Sequence, residues 1–225
     1  MTMILYHCMS ARSFRPLWML EELSLPYELK MLPFPPRVKA PTYLEINPLG
    51  TIPAFFDGAT RMTESAAICH FLAARHSPRR LNVETDEPGF GAYLNFLHFG
   101  EATLTFPQTL VLRYSRFEAT ERQQPQTVED YKIWFLSRLR TLAPLLAINE
   151  FVCSQRFTAA DVSVGYALLL GQHIGLESSF KPAVRAYWER LQQREAFKRA
   201  LDAQERAAVA QDVEPTHVAN AVGPF

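Results

Sequence analysis

Residues 6–15 read Tyr-His-Cys-Met-Ser-Ala-Arg-Ser-Phe-Arg, so a phenol (Tyr6), a thiol (Cys8), two hydroxyls (Ser10 and Ser13) and two guanidiniums (Arg12 and Arg15) fall within one short stretch. A hydroxyl here cannot exchange electrons with a disulfide. It can donate a hydrogen bond to a thiolate carried in by a ligand, and a helix N-terminus with Arg12 or Arg15 adds positive potential. Lowering a thiol by two units from about 8.5 takes roughly 2.7 kcal/mol, within reach of one charge-assisted hydrogen bond and a helix end. Ser10 lies past the first apolar run and before the first helix, and is the first choice for that hydroxyl. Ser13, three residues before Pro16, is placed to cap the helix. Tyr6 is equally a strand residue, and Cys8 has the character of a small buried hydrophobe.

The second stretch is Asn47-Pro48-Leu49-Gly50-Thr51-Ile52-Pro53-Ala54-Phe55, closed by Thr63-Glu64-Ser65. Pro53 cannot donate to a sheet ladder and belongs at a strand entrance or in a tight turn. Ile52-Pro53 is a cis candidate, a geometry that turns the Ile52 N–H and C=O outward, where an extended peptide can pair with them. Glu64-Ser65 opens a helix with Ala66, Ile68, Phe71 and Leu72 at helical spacing, and its first N–H groups can bind a carboxylate. Together they describe a seat for a short peptide bearing a carboxylate. Each also has a plain structural use, as a hairpin on Asp57-Gly58 and a capped helix.

These groups need a scaffold, and 225 residues suffice for two unequal domains. Residues 3–6 suit a buried strand, Leu17, Leu20 and Leu23 a helix ended by Ser24-Leu25-Pro26, and residues 27–32 a second strand. Pro33, Pro35, Pro36 and Pro41 mark an irregular segment with one short helix near residues 42–45. With the hairpin and the helix from Glu64, the order is β-α-β-α-β-β-α, that of a thioredoxin-like domain over residues 1–77. A linker follows, bounded by His76-Ser77-Pro78-Arg79-Arg80 and Thr85-Asp86-Glu87-Pro88. Residues 88–210 then read as all-helical: 90–114 with a kink at Pro107, 128–146, 162–170 behind a Thr158/Asp161 cap, one around 184–191, and 197–210. Residues 211–225 lack a period and form a tail, loose or folded back.

Lys+Arg and Asp+Glu balance at 23 each, which argues against nucleic acid, an anionic membrane or a strongly acidic partner. Three cysteines without a C-x-x-C pair fit a reducing compartment, and the six histidines show no paired ligand spacing, so no metal is expected. No stretch has the length of a membrane span and the start lacks a signal-peptide pattern, so the expected setting is soluble and cytoplasmic.

Asn-Pro-Leu-Gly-x-Ile-Pro followed by Glu-Ser-x-Ala-Ile resembles the glutathione-binding segment of the cytosolic glutathione transferase family. The run Ser-x-Arg-Ser-x-Arg-x-Leu-Trp-x-Leu-Glu-Glu-Leu is similar to its serine-type bacterial and fungal members, as is Phe99-Gly100-Glu101-Ala102-Thr103-Leu104. The resemblance extends to about residue 205. It implies that Ile52 and Pro53 meet the cysteinyl part of glutathione, Glu64 and Ser65 its γ-glutamyl end, and Lys39, with Arg37 nearby, its glycyl carboxylate. It further implies Ser10 as the thiol-activating group, with Tyr6, Ser13 and Cys8 as alternatives, and Glu101, Phe106, Tyr114 and Tyr166 around the electrophile. Relatives with Ser-Arg-Ser carry a Ser where this chain has Ala11, which leaves the activating hydroxyl open by one residue or three. The implied activity is conjugation of glutathione, as co-substrate, to small electrophiles in detoxification by a homodimer. The alternatives are a glutathione-dependent peroxidase or disulfide reductase, and a non-enzymatic interaction protein of the same fold.

Overall fold

The structure is a computed structural model describing residues 2–77 and 80–223. Met1, Pro78 and Arg79 of the linker, and Pro224 and Phe225 of the tail lie outside the described residues.

The first half runs β1 (Met3–His7), α1 (Phe14–Leu23), β2 (Tyr27–Met31), α2 (Pro36–Lys39), α3 (Tyr43–Ile46), β3 (Ala54–Asp57), β4 (Thr60–Met62) and α4 (Ser65–His76). The sheet order is β2-β1-β3-β4, with β1 parallel to β2 and antiparallel to β3. This is the thioredoxin-like order, with one difference. The proline-rich segment forms two one-turn helices rather than one, because Pro36 at the first helical position of α2 has the fixed φ that starts a turn. Along β1 the residues alternate. Met3, Leu5 and His7 are buried on one face, while Ile4 and Tyr6 are half-buried on the other. Gly58, at φ 59°, makes the β3–β4 turn.

Helix α1 lies between the two halves. Seven of its residues, Phe14 to Leu20, are buried, and Trp18 meets Phe197 at 4.9 Å and Phe157 at 5.8 Å between ring centres. It stops at Ser24, whose φ of 52° turns the chain while the N–H groups of Ser24 and Leu25 bond the carbonyls of Glu21 and Leu20.

The second half is helical throughout the described residues. It comprises α5 (Phe90–His98), a π-helical stretch Phe99–Thr105, α6 (Phe106–Leu112), a second π stretch Arg113–Phe117, α7 (Pro125–Leu139), α8 (Ala143–Leu146), α9 (Ala159–His173), α10 (Pro182–Gln192) and α11 (Glu195–Ala210). The break expected at Pro107 is instead taken up by the wide turns just before it, since Pro107 has no N–H to continue the α ladder. Gly100, in the first π stretch, lets that stretch approach α9 closely, for a Cβ there would come within 2.5 Å of the Ser163 backbone. The cap of α9 is structural. Asp161 accepts from the N–H groups of Thr158 (2.9 Å) and Val152 (3.0 Å) and from the Tyr187 hydroxyl (2.8 Å). The tail folds back: the Val218 N–H bonds the Met9 C=O at 3.0 Å, and Arg116 bonds the Ala219 C=O. No helix among the described residues is long and apolar enough to cross a membrane, and among them no three His, Cys, Asp or Glu side chains cluster as metal ligands.

Candidate functional site

A cleft of about 180 Å³ opens where the end of the sheet meets the helical half. Its walls are Ala11 and Arg12 from the loop before α1, Phe34, Pro36 and Arg37 after β2, Gly50, Thr51 and Ile52 before β3, Thr109, Leu112 and Phe117 from α6 and the π stretch after it, Tyr166 and Leu170 from α9, and Val218 from the tail. Its composition is mostly apolar with a few converging polar groups, the usual make-up of a small-molecule site.

The loop before β3 is held from behind. The Thr51 C=O accepts from Asn47 Nδ2 (2.7 Å) and the Tyr43 hydroxyl (2.8 Å). Gly50 sits at φ 62° with its Cα facing Arg37, where any Cβ would press to 2.8 Å. The Ile52-Pro53 bond is cis. Within the described residues neither the N–H nor the C=O of Ile52 has a hydrogen-bond partner, so a main-chain donor and acceptor stand available beside the cleft.

Helix α4 starts at Ser65 behind an exposed Glu64, and its first helical bond is Ile68 N–H to Glu64 C=O at 2.9 Å. The Ser65 hydroxyl accepts from Arg15 Nη1 at 3.2 Å. Arg15 is completely buried, and all five of its N–H donors are used: Nε on the Ser163 C=O, Nη1 on Ser65 and Glu101, Nη2 on the Gly100 C=O and Thr105 Oγ1. Glu101 is gripped from both sides, by Arg15 Nη1 and by Arg12 Nε, each at 2.5 Å. Burial works to raise the Glu101 pKa, but Arg15 and Arg12 overcome it and hold the carboxyl below its ordinary value. Burial likewise opposes the charge on Arg12, and Glu101, with Tyr166 and Glu64 adding, carries its pKa above the usual value.

The Ser10 hydroxyl lies beneath the tail and is 1% exposed. Its Oγ is 2.6 Å from His217 Nδ1 and accepts from Gln204 Nε2 at 3.3 Å. Gln204 Oε1 accepts the Ser10 N–H at 3.0 Å, which fixes it as an acceptor, so His7 Nε2, also 3.0 Å away, carries the imidazole proton. His7 Nδ1 then accepts from the Ser13 hydroxyl at 2.8 Å, and Ser13 Oγ accepts the Cys8 N–H at 3.4 Å. Burial lowers the His7 pKa to about 4, in keeping with a neutral ring. Ser13 precedes α1 as the sequence indicates, but its side chain caps nothing there.

Cys8 is buried against the Pro33 C=O, and burial pushes its pKa up. Tyr6 is on the opposite face of the sheet from His7, 5.5 Å from the Tyr43 ring and 6.1 Å from Phe56. Of the residues expected around an electrophile, Tyr166 is a cleft wall whose hydroxyl donates to the Ser10 C=O at 3.3 Å and is pushed up to about 12 by burial. Glu101 stands behind Arg12. Phe106 is 50% exposed, Tyr114 packs under the Arg113 guanidinium, and neither is among the wall residues. Lys39 is exposed and off the wall, whereas Arg37 of the same helix is on it. Sequence reasoning missed Phe34, Thr109, Leu112, Phe117 and Val218 as walls, and Gln204 and His217 as partners of Ser10.

Residues 9–75 match the family model described as glutathione S-transferase, N-terminal domain. Glutathione S-transferase A of Pleuronectes platessa is 27% identical over 197 residues, covering 82% of this chain and 84% of its own. Among solved structures, a glutathione transferase of Phanerochaete chrysosporium crystallised with oxidised glutathione shares the fold, with a TM-score of 0.81 at 22% identity over 92% of this chain and 97% of that one. Glutathione S-transferase 3 of Schizosaccharomyces pombe is 30% identical over 182 residues, 75% of this chain and 74% of its own. Identity at that level over most of both sequences, on a sheet and helical half in the same order, makes this chain a member of the glutathione S-transferase family.

Proposed function

We propose that the protein conjugates glutathione to small electrophiles in the cleft beside α1. The observation that carries this reading is Ile52, whose N–H and C=O have no partner among the described residues and stand at the edge of the cleft. The cysteinyl main chain of glutathione pairs there in extended form, with Pro53 holding the loop at the strand entrance. Its γ-glutamyl end meets Glu64, Ser65 and the first N–H groups of α4, which precede the helix's first internal bond at Ile68. Arg37 and Lys39 are the cations for the glycyl carboxylate. The thiol then faces the start of α1, and the electrophile occupies the apolar part of the cleft against Tyr166, Leu112, Leu170 and Val218. Ionisation sends the S–H proton to water; the thiolate attacks the electrophilic atom, and the leaving group departs with its bonding pair. Catalysis is thiol ionisation and positioning.

A glutathione-dependent reductase or peroxidase is the second reading. The buried Cys8, with its raised pKa, weighs against a mixed-disulfide route through this chain's own thiol. Cytoplasmic detoxification is the setting this reading supports. A symmetric homodimer is the assembly, and the exposed Val38, Leu44 and Leu49 give it apolar surface to cover. Retention on immobilised glutathione together with turnover of a chloronitrobenzene is the expected result. Retention with turnover only of a hydroperoxide or a mixed disulfide selects the second reading, and loss of both retention and turnover leaves a non-enzymatic member of the fold.

A further inference from the structure

The groups that sequence alone nominates for thiol activation are all engaged away from the cleft. Ser10 Oγ is held by His217 and Gln204 beneath the tail, Ser13 Oγ by His7, Cys8 is buried against Pro33, and Tyr6 packs on Tyr43 and Phe56. The loop before α1 presents only Ala11 and Arg12 to the cleft, and Ala11 has no side-chain donor. Arg12 commits one nitrogen, Nε, to Glu101; its two terminal nitrogens have no partner within the described residues.

The charges around Glu101 do not balance. One carboxylate serves two arginines. All five donors of Arg15 are used within the core, so the surplus cation resides on Arg12, whose side chain is 35% exposed. Glu64 is the other carboxylate near Arg12; it is exposed, and in the transferase reading it meets the amino group of glutathione. Arg12 and Ile52 are walls of the same cleft, so a peptide paired with Ile52 brings its thiol to the guanidinium.

We propose that the Arg12 guanidinium, rather than a hydroxyl, stabilises the glutathione thiolate in this protein, an inference that rests on the transferase reading. The thiol loses its proton to water, the electron pair stays on sulfur, and the two terminal nitrogens of Arg12 donate to it. Nothing is oxidised or reduced. Arg12 remains charged throughout the range in which a thiol titrates, so it acts on the bound thiol as a fixed cation.

The test is an ultraviolet titration of the bound glutathione thiolate in wild type, Arg12→Gln, Arg12→Lys and Glu101→Gln, with affinity for S-methylglutathione, which has no thiol to ionise, measured alongside. Arg12→Gln is expected to raise the apparent thiol pKa by about one unit or more, which is tenfold less thiolate below the pKa. Arg12→Lys keeps the charge and is expected to move it by less than about half a unit. Glu101→Gln removes the counter-charge and is expected to lower it. The opposite signs separate the effect from general damage, which would weaken S-methylglutathione binding in both variants. Should Arg12→Gln fail to fold, the Lys and Glu101 variants carry the test. Wild type that binds neither ligand removes the transferase reading itself. Wild type that binds both, with an unchanged thiol pKa in Arg12→Gln or an upward shift in Glu101→Gln, overturns the role of Arg12. A rise in Ser10→Ala with none in Arg12→Gln assigns the thiolate to the hydroxyl instead.

Discussion

Arg15→Met removes the buried cation that joins α1 to both α4 and the helical half, while keeping an unbranched apolar stem in its place. In the native protein Arg15 is completely buried and its Nη1 lies 2.5 Å from Glu101 Oε2. Breaking a buried ion pair from one side costs about 3–5 kcal/mol. Glu101 keeps Arg12 at 2.5 Å and is itself 26% exposed at the side chain, which points to the lower end of that range. The remaining acceptors add little. The Gly100 C=O keeps the Thr105 hydroxyl at 2.8 Å and the carbonyl of Ser163 lies inside α9, so the lost bond to the Ser65 hydroxyl is the main one, and together the remaining acceptors contribute about 1 kcal/mol. The expected loss is therefore roughly 3–4 kcal/mol, and at about 2–4 °C per kcal/mol for a chain of this size Tm falls by roughly 6–16 °C. Urea unfolding followed by circular dichroism, with thermal melts, measures both. A double-mutant cycle with Glu101→Gln should give a coupling of about 1.5 kcal/mol or more. A loss below about 1 kcal/mol with no coupling would refute the claim that this pair ties the site together.

Acid should destabilise the protein between about pH 6.5 and 4. Burial lowers both His7 and His173 to about 4, so each binds a proton more readily unfolded than folded; the stability is complete above the unfolded value of 6.5 and is lost as pH falls through 4. His7 contributes about 3 kcal/mol and His173, less deeply buried, about 2. Asp161, raised by burial to about 6, takes up its proton more readily folded and offsets about 3 kcal/mol, so the net loss is about 2 kcal/mol. A urea midpoint that stays constant or rises across that window would contradict it. Ala11→Ser adds a hydroxyl to the cleft wall and should raise conjugation turnover by about tenfold; a fall would show that the thiol does not sit beside residue 11. Ser65→Ala should raise the glutathione KM by about fivefold while costing about 1 kcal/mol of stability from the lost Arg15 bond, and an unchanged KM returns Ser65 to a purely structural role.

The shape of the loop before β3 was legible in the sequence because its logic is local: a proline at a strand entrance, a turn at Asp57-Gly58 and a helix start at Glu64 all lie within a few residues of one another. The fate of Ser10 was not legible. Its partners Gln204 and His217 lie 194 and 207 positions away, and nothing in the composition of the tail announces that it returns to cover the start of α1. Similarly, the sequence indicates an α-helix over 90–114 kinked at Pro107, but π-helical stretches precede Phe106 and include Tyr114. Each residue inserted by a π turn rotates the side chains downstream of it by about 100°, and Thr109 and Leu112 are the residues that reach the cleft. Ser13 looked like a cap because of its distance from Pro16; the nearby His7, buried and in need of a donor at Nδ1, takes its hydroxyl instead.

A structure of the protein with glutathione bound decides between Arg12 and the hydroxyls, because it locates the sulfur. Two main-chain hydrogen bonds are expected between Ile52 and the cysteinyl unit, with the sulfur within hydrogen-bond reach of an Arg12 terminal nitrogen and Ser10 still bonded to His217. Glutathione outside the cleft, or a sulfur resting on Ser10 Oγ with the tail displaced from Met9, would contradict the assignment.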